Sequence, residues 1–306
     1  MDRVSLTFMH RTVAIMPSRG FQGLREIGGA WGAVADEAQA RRCVAEAQIC
    51  LQDLSVSVRK KDLDDNPHRL RPAHESDLKD VTMGRLTISN EEKKIMRTKL
   101  TERQACSRDE VLRLIRLDAS LDSWLWACRN SYLALIGVDD TEVLAALSPA
   151  YKHISISGAH NIADGINHFL TKVHTAGMCR SLTLEDVDLS AESVPLLTSL
   201  FTRWTSESKL FTITQCENYQ LDVASFLSTW FADPEPFNGS DITVSISVPC
   251  TVSVSLGDTN LHIEYIDDNS PQTVDITASD SKYQARLEKR YDVQRNFKLY
   301  IKFPAF

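Results

Sequence analysis

The chain has 306 residues, enough for one large or two medium-sized domains, and its 43% hydrophobic and 25% charged content excludes wholesale disorder. The net charge is −7, and residues 151–306 hold the whole excess, with 19 acidic and 12 basic side chains. Because an acidic surface repels phosphates, we expect no nucleic acid partner. The acidic excess would favour a protein partner with basic character, and a solvated acidic face without a partner is the commoner explanation.

Cysteine usage and apolar runs indicate the compartment. Seven cysteines are scattered without a C-x-x-C pair, which is typical of reduced thiols and predicts a cytoplasmic or nuclear protein. The chain contains no run of about 18 apolar residues, the length that would predict a membrane span. We therefore expect no membrane partner. The first residues also lack the apolar run and the cleavage site of a secretory signal.

Residues 4–34 carry apolar side chains at helical spacing on both sides of a Pro-Ser-Arg-Gly break at 17–20. Two helices of this size bury too little apolar surface to be stable alone. Their apolar stripe therefore needs a partner helix or the rest of the chain. The stripe consists of Val4, Phe8, Val13 and Met16 before the break and Phe21, Leu24, Ile27, Trp31 and Val34 after it.

This segment resembles an F-box. That motif opens with Leu-Pro, where the chain has Val4 and Ser5, and it ends with a tryptophan, which corresponds to Trp31. Ser5 in place of the proline departs from the pattern. The resemblance implies docking on a Skp-family adaptor protein of a cullin-RING ubiquitin ligase. The docking face that it implies is formed or supported by Val4, Leu6, Val13, Leu24, Ile27 and Trp31. In the alternative, the same helices pack inward as part of one larger domain.

The next hundred residues give weaker signals. Residues 54–58 alternate between apolar and polar and predict a strand, and residues 59–82 are charged, contain two prolines and predict a linker or loop. Residues 84–150 predict mostly helix, with apolar clusters at 111–115, 121–126 and 143–147.

Strands and helices alternate between residues 151 and 249. Strands are predicted at 153–157, 181–184, 210–213 and 242–248, with centres roughly 28–32 residues apart. Because each helix between them has one apolar face that only a neighbour can bury, the pattern favours an α/β fold in which stacked βα repeats form a solenoid with a parallel sheet. The apolar faces consist of Ile162, Ile166, Phe169, Leu170 and Val173, of Leu197, Leu200, Phe201 and Trp204, and of Val223, Phe226, Leu227 and Trp230.

The repeats resemble long leucine-rich repeats of the ribonuclease-inhibitor type, although the consensus of that family is not recognisable in them. An ordinary open α/β sheet with crossovers of similar length is the alternative. After residue 248 the period changes to 2, and a hairpin around 257–260 and a last strand near 297–303 predict a β-rich cap.

No constellation of residues predicts catalysis. The glycines between 20 and 32 lack the preceding strand and the Gly-Lys-Ser/Thr of a phosphate-binding loop. His168 and His174 are six residues apart and diverge on a helix, so a metal site is not expected there or with the nearby His153 and His160. We therefore expect no catalytic residues, no metal and no cofactor.

The sequence thus predicts five regions, namely an F-box-like helical segment (1–40), a strand and charged linker (41–83), a mostly helical region (84–150), βα repeats (151–249) and a β-rich cap (250–306). The predicted function is a non-catalytic substrate-recognition adaptor of an SCF-type ubiquitin ligase, whose repeats bind a protein substrate. A repeat-type interaction scaffold unrelated to ubiquitination is the alternative, and an enzyme of unrecognised class ranks third.

Overall fold

The computed structural model describes Ser5, Met9 and residues 18–41, 43–62, 71–72, 81–90, 103–120, 131–202, 209–216, 223–237, 240–246, 251–256, 259–264, 272–277, 284–291 and 297–302. The chain divides into two compact units. The first comprises Met1–Ile136 and Ala146–Lys152, and the second comprises Gly137–Ala145 and His153–Phe306.

The first unit combines a small sheet with three described helices. The sheet has the strand order β3-β2-β1-β4-β6, and β5 also pairs with β2. Strands β1, β4 and β6 are parallel to one another, whereas β2 is antiparallel to its neighbours. The elements are α1 (Ser18–Ile27), α2 (Gly29–Arg41), β1 (Cys43–Cys50), β2 (Ser55–Asp62), β3 (Arg71–Pro72), β4 (Val81–Ser89), β5 (Gln104–Ala105), α3 (Arg108–Ser120) and β6 (Tyr132–Ile136).

Helix α3 begins with a capping box. The backbone N–H of Ser107 donates to Glu110 Oε2 at 2.7 Å, and the backbone N–H of Glu110 lies 3.3 Å from Ser107 Oγ. The Ser107 backbone N–H and the Ser107 hydroxyl both donate to the Glu110 carboxylate, and these two bonds hold the pKa of that carboxyl below its usual value. The apolar side of the helix, formed by Val111, Leu112 and Ile115, is buried.

The prediction of a mostly helical region at 84–150 misses β4 and β6. Strand β6 reads YLALI, and its three central residues, Leu133, Ala134 and Leu135, are all buried. A strand that is buried on both faces has no apolar/polar alternation, so periodicity does not distinguish it from a buried helix. Strand β1 was not predicted either, whereas β2 confirms the strand expected at 54–58.

The second unit contains the alternating strands and helices. Strands β7, β8, β9 and β10 lie side by side in chain order and are parallel, and β15, β14 and β13 continue the sheet in antiparallel pairs. Strands β11 and β12 form a separate hairpin. The elements are α4 (Thr141–Ala146), β7 (His153–Ala159), α5 (Ala163–Ala176), β8 (Ser181–Val187), α6 (Ser193–Thr202), β9 (Leu210–Thr214), α7 (Val223–Ala232), β10 (Asp241–Ile246), β11 (Thr251–Leu256), β12 (Thr259–Glu264), β13 (Gln272–Thr277), β14 (Gln284–Tyr291) and β15 (Phe297–Lys302).

The predicted α/β class is therefore confirmed in its coarse form. The protein is mixed α/β with an open sheet, and the strands that helices connect are parallel. The predicted strands and helices between 153 and 246 are confirmed, as are the hairpin and the last strand. Trp204, expected on the second helix, lies outside the described residues.

Consecutive helices of the second unit pack against each other. Helix α5 buries Ile166, Phe169, Leu170 and Val173, and it ends at Gly177, whose φ of 66° is left-handed and whose N–H donates to Val173 O. Three contacts join the helices in succession: Lys172 Nζ donates to Ala145 O at 3.0 Å, His174 Nε2 lies 2.9 Å from Ser199 Oγ, and the rings of Phe201 and Phe226 are 5.3 Å apart.

The strands of the second unit end in equivalent conformations. Gly158, Asp186 and Gln215 have φ values of 62°, 55° and 56°, and Gly137 at the start of the unit has 62°. The register of the sheet makes the last three positions equivalent, since Ser157 pairs with Glu185 and Glu185 with Thr214. In each case the next residue is buried, namely Val138, Ala159, Val187 and Cys216. The same local backbone thus recurs at intervals of 21, 28 and 29 residues.

Candidate functional site

The parallel sheet of the second unit has one apolar and one polar face. Along each strand, alternate residues are buried, as Ile154 and Ile156 are in β7 and Leu182 and Leu184 are in β8. This buried face is the one that contacts helices, because the ring of Phe211 in β9 packs edge-on against Phe201 of α6 at 5.0 Å. The intervening residues lie on the opposite face.

Hydroxyl side chains occupy the centre of the opposite face. Ser155, Thr183, Thr212 and Thr243 are in register across four neighbouring strands, and all four are half-buried. Adjacent strands lie about 4.8 Å apart, so this hydroxyl row is about 14 Å long. Most residues that alternate with the buried ones are polar and half-buried or exposed, although Thr214 is buried, so the face is suited to hydrogen bonding with a partner.

A large apolar side chain lies beside the hydroxyl row. Leu210 begins β9 on the same face as Thr212 and is 49% exposed. It is in register with Ser181 on one side and Asp241 on the other. Among the described residues, only Leu210 and Ile27 are large hydrophobic side chains with this degree of exposure.

The polar face changes its charge across the sheet. Glu185 is exposed near the carboxyl end of β8, and Asp241 is half-buried at the start of β10. On the far side, Lys302 of β15 is in register with Asp241, and Arg286 of β14 is in register with Lys302. The face therefore has Glu185 toward the carboxyl ends of its parallel strands, Asp241 at their amino ends, and the basic residues Lys302 and Arg286 on β15 and β14.

The carboxyl ends of the parallel strands continue into an acidic rim. Residues 137–142, 157–167 and 183–193 contain eight acidic side chains and no lysine or arginine. His160 lies between two of them, with Nε2 3.4 Å from Asp186 Oδ2 and Nδ1 3.4 Å from Asp188 Oδ1. The backbone N–H of Asn161 donates to Asp188 at 2.7 Å, and this bond is the main cause that lowers the pKa of that carboxyl. Exposed pairs of this kind contribute little stability.

The histidines considered in the sequence have different locations. His153 starts β7, His160 lies in the acidic rim, and His168 and His174 lie on α5. In the described part of the chain, no group of three His, Cys, Asp or Glu side chains has an arrangement that could hold a metal ion.

The N-terminal helices α1 and α2 have a small apolar cluster of their own. Met9, Val34 and Ala35 are buried in it, and Leu24 and Trp31 are half-buried against it. Two glycines in left-handed conformations, Gly28 and Gly29, form the turn between the helices, and an ion pair between Arg25 and Asp36 also links them.

The structure describes three of the six predicted docking residues. Leu24 and Trp31 pack into the cluster of the two helices, while Ile27, at the end of α1, is 61% exposed. Val4, Leu6 and Val13 lie outside the described residues. Among the three that are described, Ile27 is the one that presents a free apolar surface to a partner.

Sequence reasoning missed the polar face and Leu210. The signal for the face was present, because Ser or Thr occupies every second position in the segments SIS at 155–157 and TIT at 212–214. Period-2 alternation identifies a strand with one buried face. Which face the helices leave open depends on tertiary packing, so the sequence alone predicted a strand at 210–213 without the exposure of Leu210.

No described helix combines the length and the apolar character needed to cross a membrane. Comparison with protein-family models, with curated protein sequences and with solved structures finds no match for this chain.

Proposed function

We propose that the protein is a non-catalytic substrate-recognition adaptor of an SCF-type cullin-RING ubiquitin ligase. Helices α1 and α2 dock on the Skp-family adaptor protein, and the polar sheet face of the second unit binds a protein substrate. The observation that carries the docking half of this proposal is Ile27, which is 61% exposed on a helix pair whose other described apolar side chains are packed together.

The physical argument for docking is the cost of leaving such a side chain in water. A fully buried isoleucine contributes about 1.5–3 kcal/mol relative to an exposed one, which is a large share of the energy of a small interface. An amphipathic helix that presents one apolar anchor fits a hydrophobic groove on a partner. Since Leu24 and Trp31 support the shape of the helix pair from inside, Ile27 is the anchor.

The internal repeat supports the second half of the proposal. Left-handed residues at equivalent positions and helices that pack in succession support the finer form of the predicted fold, a leucine-rich-repeat-like solenoid. That repeat places two apolar residues before an Asn or Cys at fixed spacing. Phe211, Ile213 and Cys216 have this spacing, and the Cys216 thiol donates to Thr214 O at 3.4 Å. In such solenoids the open sheet face is the binding surface.

The test of docking is a binding measurement with a purified Skp-family protein. The Ile27→Asp variant is expected to bind at least tenfold more weakly, because a charge replaces the apolar anchor, and its circular dichroism spectrum should be unchanged since the site is exposed. Thr175→Asp is the matched control, as it adds the same charge at an exposed position on α5 and should leave binding unaltered. Absence of binding by the native chain, or equal binding by the two variants, would overturn the docking proposal.

A second candidate function is a protein-interaction scaffold unrelated to ubiquitination. The polar sheet face favours it, because Ser155, Thr183, Thr212 and Thr243 form an accessible surface that does not depend on the N-terminal helices. This function would replace the first if the chain fails to bind Skp-family proteins while binding to the sheet face is retained.

A further inference from the structure

We infer that the polar sheet face binds a segment of a partner protein that carries one apolar side chain followed by lysine or arginine residues, with Leu210 as the apolar anchor. The inference rests on the proposed function, because it names the chemistry of the substrate bound at that face. It follows from the position of Leu210, from the distribution of charge around it and from the spacing of the strands.

Leu210 is an apolar side chain with polar neighbours at the amino-terminal edge of the polar face. It is 49% exposed, and its neighbours on the two flanking strands are Ser181 and Asp241. A partner that covers a leucine removes apolar area from water, and this strengthens binding by about tenfold or more. Protein interfaces combine buried apolar contacts with a polar rim, and Leu210 has polar neighbours on both flanking strands that can form such a rim.

The charges on the face determine the sign of the partner. Asp241 lies next to Leu210, and Glu185 is exposed on β8 where the face meets the acidic rim. Lys302 and Arg286 lie beyond Asp241 on the opposite side, so cationic groups of a partner are repelled there and attracted toward Glu185. The acidic rim itself, with eight carboxylates and no lysine or arginine, extends this attraction.

The strand geometry sets the spacing that the partner needs. Leu210 is in register with Ser181, and Glu185 follows Ser181 by four residues on the same strand. At about 3.3 Å per residue, the apolar anchor and the carboxylate are about 13 Å apart along the strand direction. An extended segment that follows the strands covers this distance in four residues, so the apolar residue and the first basic residue of the partner are four positions apart. The hydroxyl row between them offers hydrogen bonds to its backbone.

The test uses a fluorescein-labelled peptide of sequence GSLSGSKKGS and the full chain, with binding followed by fluorescence anisotropy. We expect saturable binding that weakens as salt is added, because exposed charges are screened. Two control peptides, one with both lysines replaced by glutamate and one with the leucine replaced by serine, are expected to bind at least tenfold more weakly.

Variants of the protein locate the peptide. Leu210→Ser and Glu185→Lys are both exposed changes and should each weaken binding at least fivefold, while Thr175→Lys on α5 is the charge-matched control and should have no effect. Equal binding of the acidic and basic peptides, equal binding by Leu210→Ser and the native chain, or no peptide binding would each overturn the inference. Self-association that covers Leu210, detected by sedimentation and abolished by Leu210→Ser, would overturn it in favour of a second copy of the chain.

The docking proposal and the inference about the substrate segment can be overturned independently. Ile27→Asp is expected to lose Skp-family binding and keep peptide binding, whereas Leu210→Ser is expected to do the opposite. If the peptide fails to bind while the Skp-family protein binds, the proposed chemistry of the substrate segment is wrong. If the Skp-family protein fails to bind while the peptide binds, the docking role is wrong.

Discussion

The left-handed backbone conformation at the strand ends has a conformational free-energy cost that depends on the residue type. Gly137 and Gly158 adopt it freely, but Asp186 and Gln215 carry side chains in the same conformation. A side chain in that region costs about 1–2 kcal/mol for most residues and less for aspartate. The conformation is therefore imposed by the sheet and the following buried residue, and the residue type at each strand end adjusts to it.

Gly158→Ala is expected to lower the free energy of unfolding by about 1–2 kcal/mol, because alanine is strained at a φ of 62°. A Cβ at this position would meet only Gly137 Cα at 3.8 Å, so the cost comes from the backbone and not from a clash. Gly23→Ala is the matched control. A Cβ there meets nothing within 4 Å inside α1, and the change should stabilise by up to about 1 kcal/mol. Urea unfolding measures both, and changes of the same sign would contradict the assignment.

Burial keeps one thiol neutral to high pH. Cys179 is 5% exposed, and burial raises its pKa from the usual 9.0 to about 12. The nearby Lys209 opposes this shift without cancelling it. A group whose pKa is raised by folding contributes stability below its unfolded pKa and loses it as the pH rises toward the folded value.

The native chain is therefore expected to lose more stability than Cys179→Ala between pH 9 and pH 11. The extra loss should be about 1 kcal/mol per pH unit, since the thiol ionises only after unfolding in this range. Urea unfolding at several pH values measures the difference between the two proteins. A difference that does not change with pH would show that the folded thiol titrates like an exposed one.

At the scale of the elements, an aromatic cluster holds the last repeats together. The rings of Phe201, Phe211, Phe226 and Phe237 lie 5.0 to 5.5 Å apart and join α6, β9, α7 and the 3-10 turn Glu235–Phe237. The buried Lys209 adds a hydrogen bond of 2.7 Å from its Nζ to Phe201 O, near the carboxyl end of α6. A cation at this end of a helix satisfies a backbone carbonyl and complements the helix dipole.

Phe226→Ala is expected to lower the free energy of unfolding by about 3–5 kcal/mol, because it leaves a cavity beside the rings of Phe201 and Phe237. Ser228→Ala on the exposed side of the same helix should change it by less than about 0.5 kcal/mol. Denaturant unfolding of the two variants, followed by tryptophan fluorescence, makes the comparison. Equal effects would mean that the cluster is not a packed core.

Helices and strands could be predicted from the sequence where one face is buried and the other is exposed to solvent. Helix α5 was expected with its apolar face and its stop at Gly177, because period 3.6 and a glycine are both local signals. Strands β4 and β6 were not, since residues such as Leu133 to Leu135 are buried on both sides and leave no alternation. Strand β1 was missed although its half-buried Glu46 and Gln48 alternate with buried residues. The two exposed apolar residues also differed in how far local sequence signals could predict them. Ile27 was named from its helical spacing, while the exposure of Leu210 depended on which face of the sheet lacks helices.

At the scale of the whole molecule, the described residues leave two large apolar side chains exposed. Ile27 belongs to the first unit and Leu210 to the second, and among the described residues these are the two large hydrophobic side chains left in water. Under the proposed function the two residues have different tasks, docking and substrate recognition. A chain that carries both tasks on separate units can lose one of them by a single substitution and retain the other.

The recurring left-handed strand ends also determine what a tandem duplication within the second unit would do to the sheet. Residues 159–186 begin just after one left-handed position and end on the next, and they contain one helix and one strand. Because the backbone conformation is the same at both boundaries, a tandem duplication of this segment would add one helix and one strand and leave the hydrogen-bond register of the following strands intact. Each such duplication would widen the polar sheet face by one strand spacing, about 4.8 Å.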